Sequence, residues 1–501
     1  MLMRKNIYRS AAQVTIFSII EKTLSFIYRI ILSRTIGAEG LGIYQICLSV
    51  FSVFLTVAAT GIPVTVSRLI AKNSATGKPH ARHAVVTSGV ICSLLFTVPV
   101  ALFLFFGKDL YSFLFPDRDY VNIFLILLPG LILTSVYAVI RGSFWGNMQF
   151  LPYSVIELAE DAVMVVCGCV LIGFASTAEG GAKAAVIAVL ISYVFSFAVS
   201  LFWYFYTGGK FVNPKGQFKP LFTAALPVTA MRTSTSILNS CVAMFLPALL
   251  TYACGYSNSQ ALAIYGAVLG MSVPVLFIPS PLISSIAVVV APQMSENFYS
   301  KRTDLLKRDI EKTLKSSVLI ATVLIPLLFT EGKDVGLFLY DNALSGEIIS
   351  NFSFMMLPMC LSMITTTVLN SMHYEIKTLI YFFIGAAAML ASIFGLTHFL
   401  GIYAYMLGIT LNFIITAVLN LRLLKKNCPQ INYAGYAVRC GIICVLACIF
   451  GVLFSNLLKG VLPLIVKILL CGGGSSLFAL LAFYAMEMIS ARPFKKIFSK
   501  N

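Results

Sequence analysis

The sequence is poor in charged residues. Only 11% of its 501 residues are Asp, Glu, Lys or Arg, whereas 59% are hydrophobic and the mean hydropathy is +0.92. Soluble globular proteins carry about 25% charged residues, so this composition would leave large apolar areas in contact with water. A soluble globular protein is therefore excluded.

Motifs of soluble catalysis are also missing. The chain has no Gly-x-x-x-x-Gly-Lys-Ser/Thr motif, so no intrinsic ATPase activity is expected. Its twelve cysteines lie mostly in apolar runs and predict neither a disulfide framework nor a metal site. No cleavable signal sequence is expected. The four histidines are scattered, without the pairing that a membrane glycosyl- or acyltransferase would need. We therefore expect no enzyme activity, no cofactor and no bound metal.

Long apolar runs dominate what is present. Their number predicts an all-α integral membrane protein with about 14 transmembrane helices of roughly 20 residues each. An even number places both termini on one side, where 26 of the 36 Lys and Arg residues would lie, against 6 on the other. The positive-inside rule then makes both termini cytoplasmic in a plasma-membrane protein. The net charge of +17 is explained in this way, and nucleic acid is not an expected partner.

A short motif occurs once in each half of the chain. Gly107-Lys108-Asp109 is matched by Gly332-Lys333-Asp334, each outside and between the third and fourth helices of its half. The repeat predicts two pseudo-symmetric six-helix lobes, residues 1–209 and 210–425, followed by two further helices and a basic tail in 426–501. The charged segment 292–315 is expected to form a surface helix at the lipid headgroups.

Basic residues inside the apolar runs are the first candidate site. Lys22 and Arg29 are seven residues apart, so they share one face of helix 1. Arg232, Ser236 and Asn239 form a polar stripe on helix 7, which must line water or another helix. Because Arg and Lys suit phosphate oxygens, these residues predict an anionic substrate. The alternative is that the bases pair with buried acids elsewhere.

Acidic residues form the second candidate site. The spacing of Glu157, Glu160 and Asp161 places them on one face of helix 5, and these acids, with Glu21 on helix 1, are candidates for a coupling cation or a proton cycle. The alternative is a structural network that clamps Arg141 or Arg68. Near the chain end, Lys467 and Glu487 are expected to extend their charged groups to the membrane surface.

One stretch of sequence resembles a known family. Residues 28–45, with Gly61-Ile62-Pro63-Val64 after them, resemble stage V sporulation protein B-like polysaccharide transporters of the multidrug/oligosaccharidyl-lipid/polysaccharide (MOP) exporter superfamily. The resemblance implies two lobes around a central cavity, alternating access and a polyprenyl-diphosphate-linked sugar as substrate. It also implies that Lys22 and Arg29 bind the diphosphate, with Arg68 and Arg232 as further candidates, and that helices 13 and 14 hold the lipid tail.

These observations predict a flippase. Its substrate would be an undecaprenyl-diphosphate-linked saccharide, a peptidoglycan precursor for spore cortex, moved from the inner to the outer leaflet. The expected partners are this lipid-linked anionic saccharide and membrane lipids, and the sequence leaves the oligomeric state open. The alternative is a cation-coupled multidrug exporter of the same fold, which would use an unpaired acid rather than unpaired bases in its cavity.

Overall fold

The protein is helical throughout the part of the chain that the computed structural model describes. That part comprises residues 2–59, 61–75, 81–112, 115, 117, 119–214, 216–428, 431, 433–458 and 463–486. Within the helices, the side chains of Arg232 and Asn239 lie outside this description. The described chain contains no strand, in agreement with the predicted all-α class.

The chain divides into two compact units, residues 1–266 and 267–501. In unit 1 the helices are α1 (Leu2–Ala59), α2 (Gly61–Ala75), α3 (Ala81–Phe106), α4 (Lys108–Tyr111), α5 (Asp119–Leu125), α6 (Leu128–Gly146), α7 (Phe150–Ile172), α8 (Ala178–Tyr206), α9 (Phe218–Cys254) and α10 (Asn258–Tyr265). Because α9 and α10 pack on α1, unit 1 extends past the predicted lobe boundary at residue 209. Compactness and internal repetition are different properties, so the predicted lobes stay a prediction.

Helix α1 is interrupted at Gly37. This residue has φ 70° and ψ −177°, a conformation essentially restricted to glycine, so the chain turns there. Gly42 lies so close to α10 that a Cβ at this position would be 2.3 Å from the carbonyl oxygen of Leu262. The glycines at this turn therefore serve the turn and close helix packing.

Unit 2 begins within a π-helical segment, Gly266–Ser272. Its helices are α11 (Val273–Leu276), α12 (Pro279–Tyr299), α13 (Thr303–Tyr340), α14 (Ala343–Asn351), α15 (Met356–Ser371), α16 (Glu375–Leu400), α17 (Tyr403–Asn427), α18 (Tyr433–Leu457), α19 (Leu464–Lys467) and α20 (Gly473–Ala485). A second π-helical segment, Ile468–Gly472, joins α19 to α20. Buried apolar side chains of α13, α18 and α20 form a core cluster in this unit.

Eleven helical segments of the described chain are long and apolar enough to cross a membrane. One of them, Ile16–Thr56, contains the turn at Gly37. Helix α7, which contains three acids, is not among the eleven. The protein is thus a multi-pass membrane protein, and the number fourteen stays a prediction.

Large apolar side chains such as Phe106, Phe174 and Phe202 are mostly exposed, as expected for residues that face lipid.

Two local predictions were wrong. The segment 292–315 forms no separate surface helix, since α12 runs to Tyr299, three residues turn, and α13 begins at Thr303. Its mixed charges belong to the ends of two long helices. The second copy of the repeated motif, Gly332-Lys333-Asp334, lies inside α13 and not in a loop, whereas in the first copy a short helix begins at Lys108.

Candidate functional site

Four carboxylates come together in unit 1. Glu157, Glu160 and Asp161 share one face of α7 because residues three and four apart are neighbours on a helix. Glu21 of α1 interacts electrostatically with Glu157 and Asp161, since α1 packs against α7. We call these four residues the carboxylate cluster.

One acid of the carboxylate cluster is ion-paired. The Nη1 atom of Arg141, on α6, lies 3.1 Å from Oε1 of Glu157. The Arg141 guanidinium also lies 5.9 Å from the ring centroid of Tyr137 and 5.3 Å from that of Trp145, within the range of cation–π attraction. Of the two possible clamps, Arg141 is the one that pairs. Arg68 is exposed on α2 and has no ion pair within the described residues.

A neutral hydroxyl group serves one of the other acids. Ser25 Oγ donates a hydrogen bond of 3.2 Å to Oδ2 of Asp161, whereas Ser196 of α8 lies near Glu160 but donates to the carbonyl oxygen of Tyr193 in its own helix. Ser25 did not stand out in the sequence, because hydroxyls in membrane helices commonly bond to their own backbone. Helix α7 packs against both α1 and α8, and sequence periodicity does not show which helices pack together.

Lys22 lies at the edge of the carboxylate cluster. Its side chain is exposed and interacts electrostatically with Glu21 and Asp161. The cluster therefore has four acids and, in Lys22 and Arg141, two basic neighbours. No described group of His, Cys, Asp or Glu side chains has an arrangement suited to a metal ion. The excess of acid suits a proton or a weakly held cation that neutralises charge at membrane depth.

The other predicted phosphate-binding residues are only partly brought together. Arg29 is half-buried and interacts with Tyr44, a tyrosine that also interacts with Asp161. Ser236 of α9 donates a hydrogen bond of 3.4 Å to the carbonyl oxygen of Ser52 in the second half of α1. Arg232 and Asn239 lie on the same helix, but their side chains are outside the described residues.

Unit 2 contains an ionic cluster that the sequence did not predict. Lys467 Nζ lies 2.6 Å from Oδ2 of Asp334 and 3.5 Å from Oε2 of Glu331. The Glu331 side chain is 0% exposed and that of Lys467 is 18% exposed. The expectation that Lys467 extends to the membrane surface was therefore wrong, because the buried Glu331 and the half-buried Asp334 of α13 hold it. Glu487 lies outside the described residues. We call Glu331, Asp334 and Lys467 the lysine triad.

Comparisons with known proteins agree with this architecture. A family model described as "Polysaccharide biosynthesis protein" matches residues 7–298. Stage V sporulation protein B of Bacillus subtilis (strain 168) is 23% identical over 446 residues, which cover 85% of each chain. Among solved structures, the lipid II flippase MurJ in an inward closed conformation has a TM-score of 0.67 at 13% identity and covers 95% of this chain and 100% of its own.

A second solved structure has the same degree of likeness. It is an inward-facing multidrug resistance MATE family transporter of the MOP superfamily, with a TM-score of 0.67 at 16% identity, covering 82% of this chain and 96% of its own. At such identities the structural likeness shows the fold. This chain therefore shares the fold of these two transporters, as the resemblance in the sequence implied.

Proposed function

The chain belongs to the polysaccharide biosynthesis protein family, and from this membership we propose that it is a flippase for an undecaprenyl-diphosphate-linked saccharide. Its relatives make it a membrane flippase or transporter of the MOP superfamily rather than an enzyme. The proposed saccharide is a peptidoglycan precursor for spore cortex. It crosses from the inner to the outer leaflet by alternating access, while its lipid tail stays in the bilayer.

The observation that supports this proposal best is the position of Lys22 at the edge of the carboxylate cluster. Lys22 and Arg29 supply two cations on α1 for a diphosphate, with Arg232, Arg68, Ser236 and Asn239 as further contacts. The acids Glu21 and Asp161 compete with the phosphate for Lys22. A proton or cation that enters the cluster would weaken this competition and free Lys22 for the substrate. Coupling-ion binding and substrate binding would then support each other.

The membrane potential adds a driving force. A diphosphate carries about two negative charges, and each is worth about 2.3 kcal/mol per 100 mV. An inside-negative potential therefore favours outward transfer by about 4 to 5 kcal/mol per 100 mV if the bases move little. No ATP site is needed for this contribution.

Transport assays with variants of the α1 bases test the proposal. Lys22→Ala and Arg29→Ala should each slow transfer of a fluorescent undecaprenyl-diphosphate saccharide across reconstituted vesicles by about 10- to 100-fold, since each removes a charge-assisted contact. Lys183→Ala, which removes an exposed lysine of α8, is the matched control and should transfer at the rate of the unchanged protein. Unaltered transfer by both α1 variants would contradict the phosphate role.

A cation-coupled multidrug exporter is the second candidate. The excess of acids over bases in the carboxylate cluster favours it, because an organic cation could take the place of the coupling ion. Uptake of an organic cation that stops in Asp161→Asn, together with no transfer of lipid-linked saccharide by the unchanged protein, would decide for this function.

Both termini are proposed to lie in the cytoplasm. In a cysteine-free background, single cysteines at Asn258 and Asp341 should react with an impermeant maleimide added outside intact cells, while one at Lys307 should not. The reverse pattern would invert the orientation and, with it, the direction of transport.

A further inference from the structure

Unit 2 contains a cavity of about 580 Å³ where α12 turns into α13. Its wall includes Phe298 and Tyr299 from the end of α12, Thr303 and Leu306 from the start of α13, and Met372 from the turn after α15. Leu306 and Met372 are buried, so this part of the wall is apolar. Its volume lies in the range of cavities that bind small organic molecules.

Two lysines line the same cavity. Lys301 lies in the turn between the helices and is exposed, whereas Lys307 lies one turn into α13 and is half-buried. Neither lysine is ion-paired within the described residues. An apolar wall combined with two cations is the pattern that suits an amphiphile with an anionic head.

One acid of α13, Asp309, is already engaged. Asp309 accepts hydrogen bonds from Nδ2 of Asn297 at 2.7 Å and from Nε2 of Gln293 at 3.1 and 3.2 Å. These amides of α12 hold the Asp309 carboxylate, so it does not serve as counter-ion to Lys301 or Lys307. Asp304 and Glu311 lie three positions before and four positions after Lys307 on α13, but neither forms an ion pair with Lys301 or Lys307 within the described residues. The lysine charges are therefore left for a ligand.

The turn that presents Lys301 has a defined shape. Lys301 has φ 54°, in the left-handed region that non-glycine residues rarely adopt. The Tyr299 ring packs edge-on against His373, with 5.2 Å between the centroids, and His373 itself has φ 65°. Two turns, each with a residue of positive φ, thus meet at this cavity. Such backbone conformations are typical of ligand-binding sites.

A cavity in unit 1 provides a contrast. It measures about 180 Å³ and is lined largely by polar residues, including Arg82, His83, Asn147 and Gln149. It has a cationic group but neither the volume nor the apolar wall for a hydrocarbon chain. The combination of charge and apolar wall is thus a property of the unit 2 cavity and not of every cavity in the protein.

We propose that the unit 2 cavity binds an anionic phospholipid of the surrounding leaflet. The lipid phosphate would be held by Lys301 and Lys307, and the start of one acyl chain would lie along Phe298, Leu306 and Met372. The positive-inside count places this end of the unit at the cytoplasmic surface, where anionic lipids attract basic segments. The site is separate from the carboxylate cluster and does not depend on which saccharide is transported.

Lipid binding to the purified full-length protein tests this proposal. Native mass spectrometry in detergent should show phosphatidylglycerol bound about tenfold more tightly than phosphatidylcholine. Lys301→Gln with Lys307→Gln should remove this preference, because the two charge-assisted contacts are lost. The matched control, Arg302→Gln with Lys312→Gln, removes two exposed charges of the same chain segment that do not line the cavity, and it should keep the preference.

A second variant tests the contact with the acyl chain separately from the contact with the lipid phosphate. Thr303→Trp places a large ring in the cavity while leaving both lysines, and it should weaken phosphatidylglycerol binding about tenfold. Unchanged binding in Thr303→Trp, with displacement of the lipid by inorganic phosphate, would show a simple phosphate site and overturn the proposal. If the control pair lost the preference for phosphatidylglycerol to the same extent, general charge attraction would explain the binding. If an undecaprenyl phosphate bound more tightly than phosphatidylglycerol, the cavity would be assigned to the prenyl lipid. Either result also overturns the proposal.

Discussion

The two units treat buried acids differently. Both the carboxylate cluster and the lysine triad contain more acids than bases, so the difference lies in their partners and exposure. In unit 2 a single Nζ contacts both acids, and Glu331 is sealed from solvent. In the carboxylate cluster of unit 1, Glu157 is the one acid with an ion pair among the described residues, and the side chains of Glu157 and Arg141 are 22% and 30% exposed, while Asp161 accepts a hydrogen bond from the Ser25 hydroxyl. A hydroxyl group can exchange one hydrogen-bond partner for another at a small cost in free energy, whereas an ion pair to a buried carboxylate cannot be broken so cheaply. From this comparison we propose that unit 2 uses its acids for stability and that unit 1 uses its acids for ion exchange.

The largest expected effect is in the lysine triad. Lys467→Ala should destabilise the protein by about 3 to 5 kcal/mol, because it leaves the buried Glu331 carboxylate and the half-buried Asp334 carboxylate without a counter-ion. The measurement is the thermal unfolding midpoint in detergent. Adding Glu331→Gln and Asp334→Asn to Lys467→Ala should restore most of the loss, and a triple variant as unstable as the single one would show that packing, not charge, is responsible.

The carboxylate cluster should give the opposite result. Glu160→Gln should leave the unfolding midpoint nearly unchanged, because it removes an acid from a group that already has an excess. It should abolish the dependence of transport on sodium or pH, measured in reconstituted vesicles with each gradient imposed separately. Glu331→Gln is the matched control and should keep the ion dependence. If the control loses the dependence and Glu160→Gln keeps it, the roles of the two clusters are exchanged.

The smallest expected effect concerns a hydroxyl. Ser25→Ala removes the hydrogen bond to Asp161, which is worth about 1 kcal/mol, so the ion concentration for half-maximal transport should shift about fivefold. Ser192→Ala is the control, since its hydroxyl bonds to the backbone of its own helix at Val189. An equal shift in both variants would contradict a specific role for Ser25.

Much of the fold follows from local properties of the sequence. Apolar runs give helices in a membrane protein, and Gly37 marks the first turn because few other residues adopt its backbone conformation. The pairing of Arg141 with Glu157 was one of two options, since the two residues are only 16 positions apart on consecutive helices. The structure selected that option from helix packing.

Other features depend on contacts that no local pattern contains. The spacing of Glu331 and Asp334 places them on one helix face, but nothing in the sequence connects them with Lys467. The charges of 292–315 have the spacing of an amphipathic surface helix, yet the same spacing occurs at the ends of long helices that project from a membrane. Burial distinguishes the two cases, and burial depends on the rest of the fold.

The lysine triad also has a consequence for the order of biosynthesis. Lys467 follows Asp334 by 133 positions, and at about 5 to 20 residues per second a ribosome needs about 7 to 27 s to synthesise that interval. Throughout this time α13 has been made but its counter-ion has not. Since Glu331 is buried and costly to leave without a counter-ion, we expect α13 to reach its final position only when α19 arrives. Completion of unit 2 is therefore tied to the end of translation, and a chain cut short before Lys467 would retain an acidic helix for quality control to recognise.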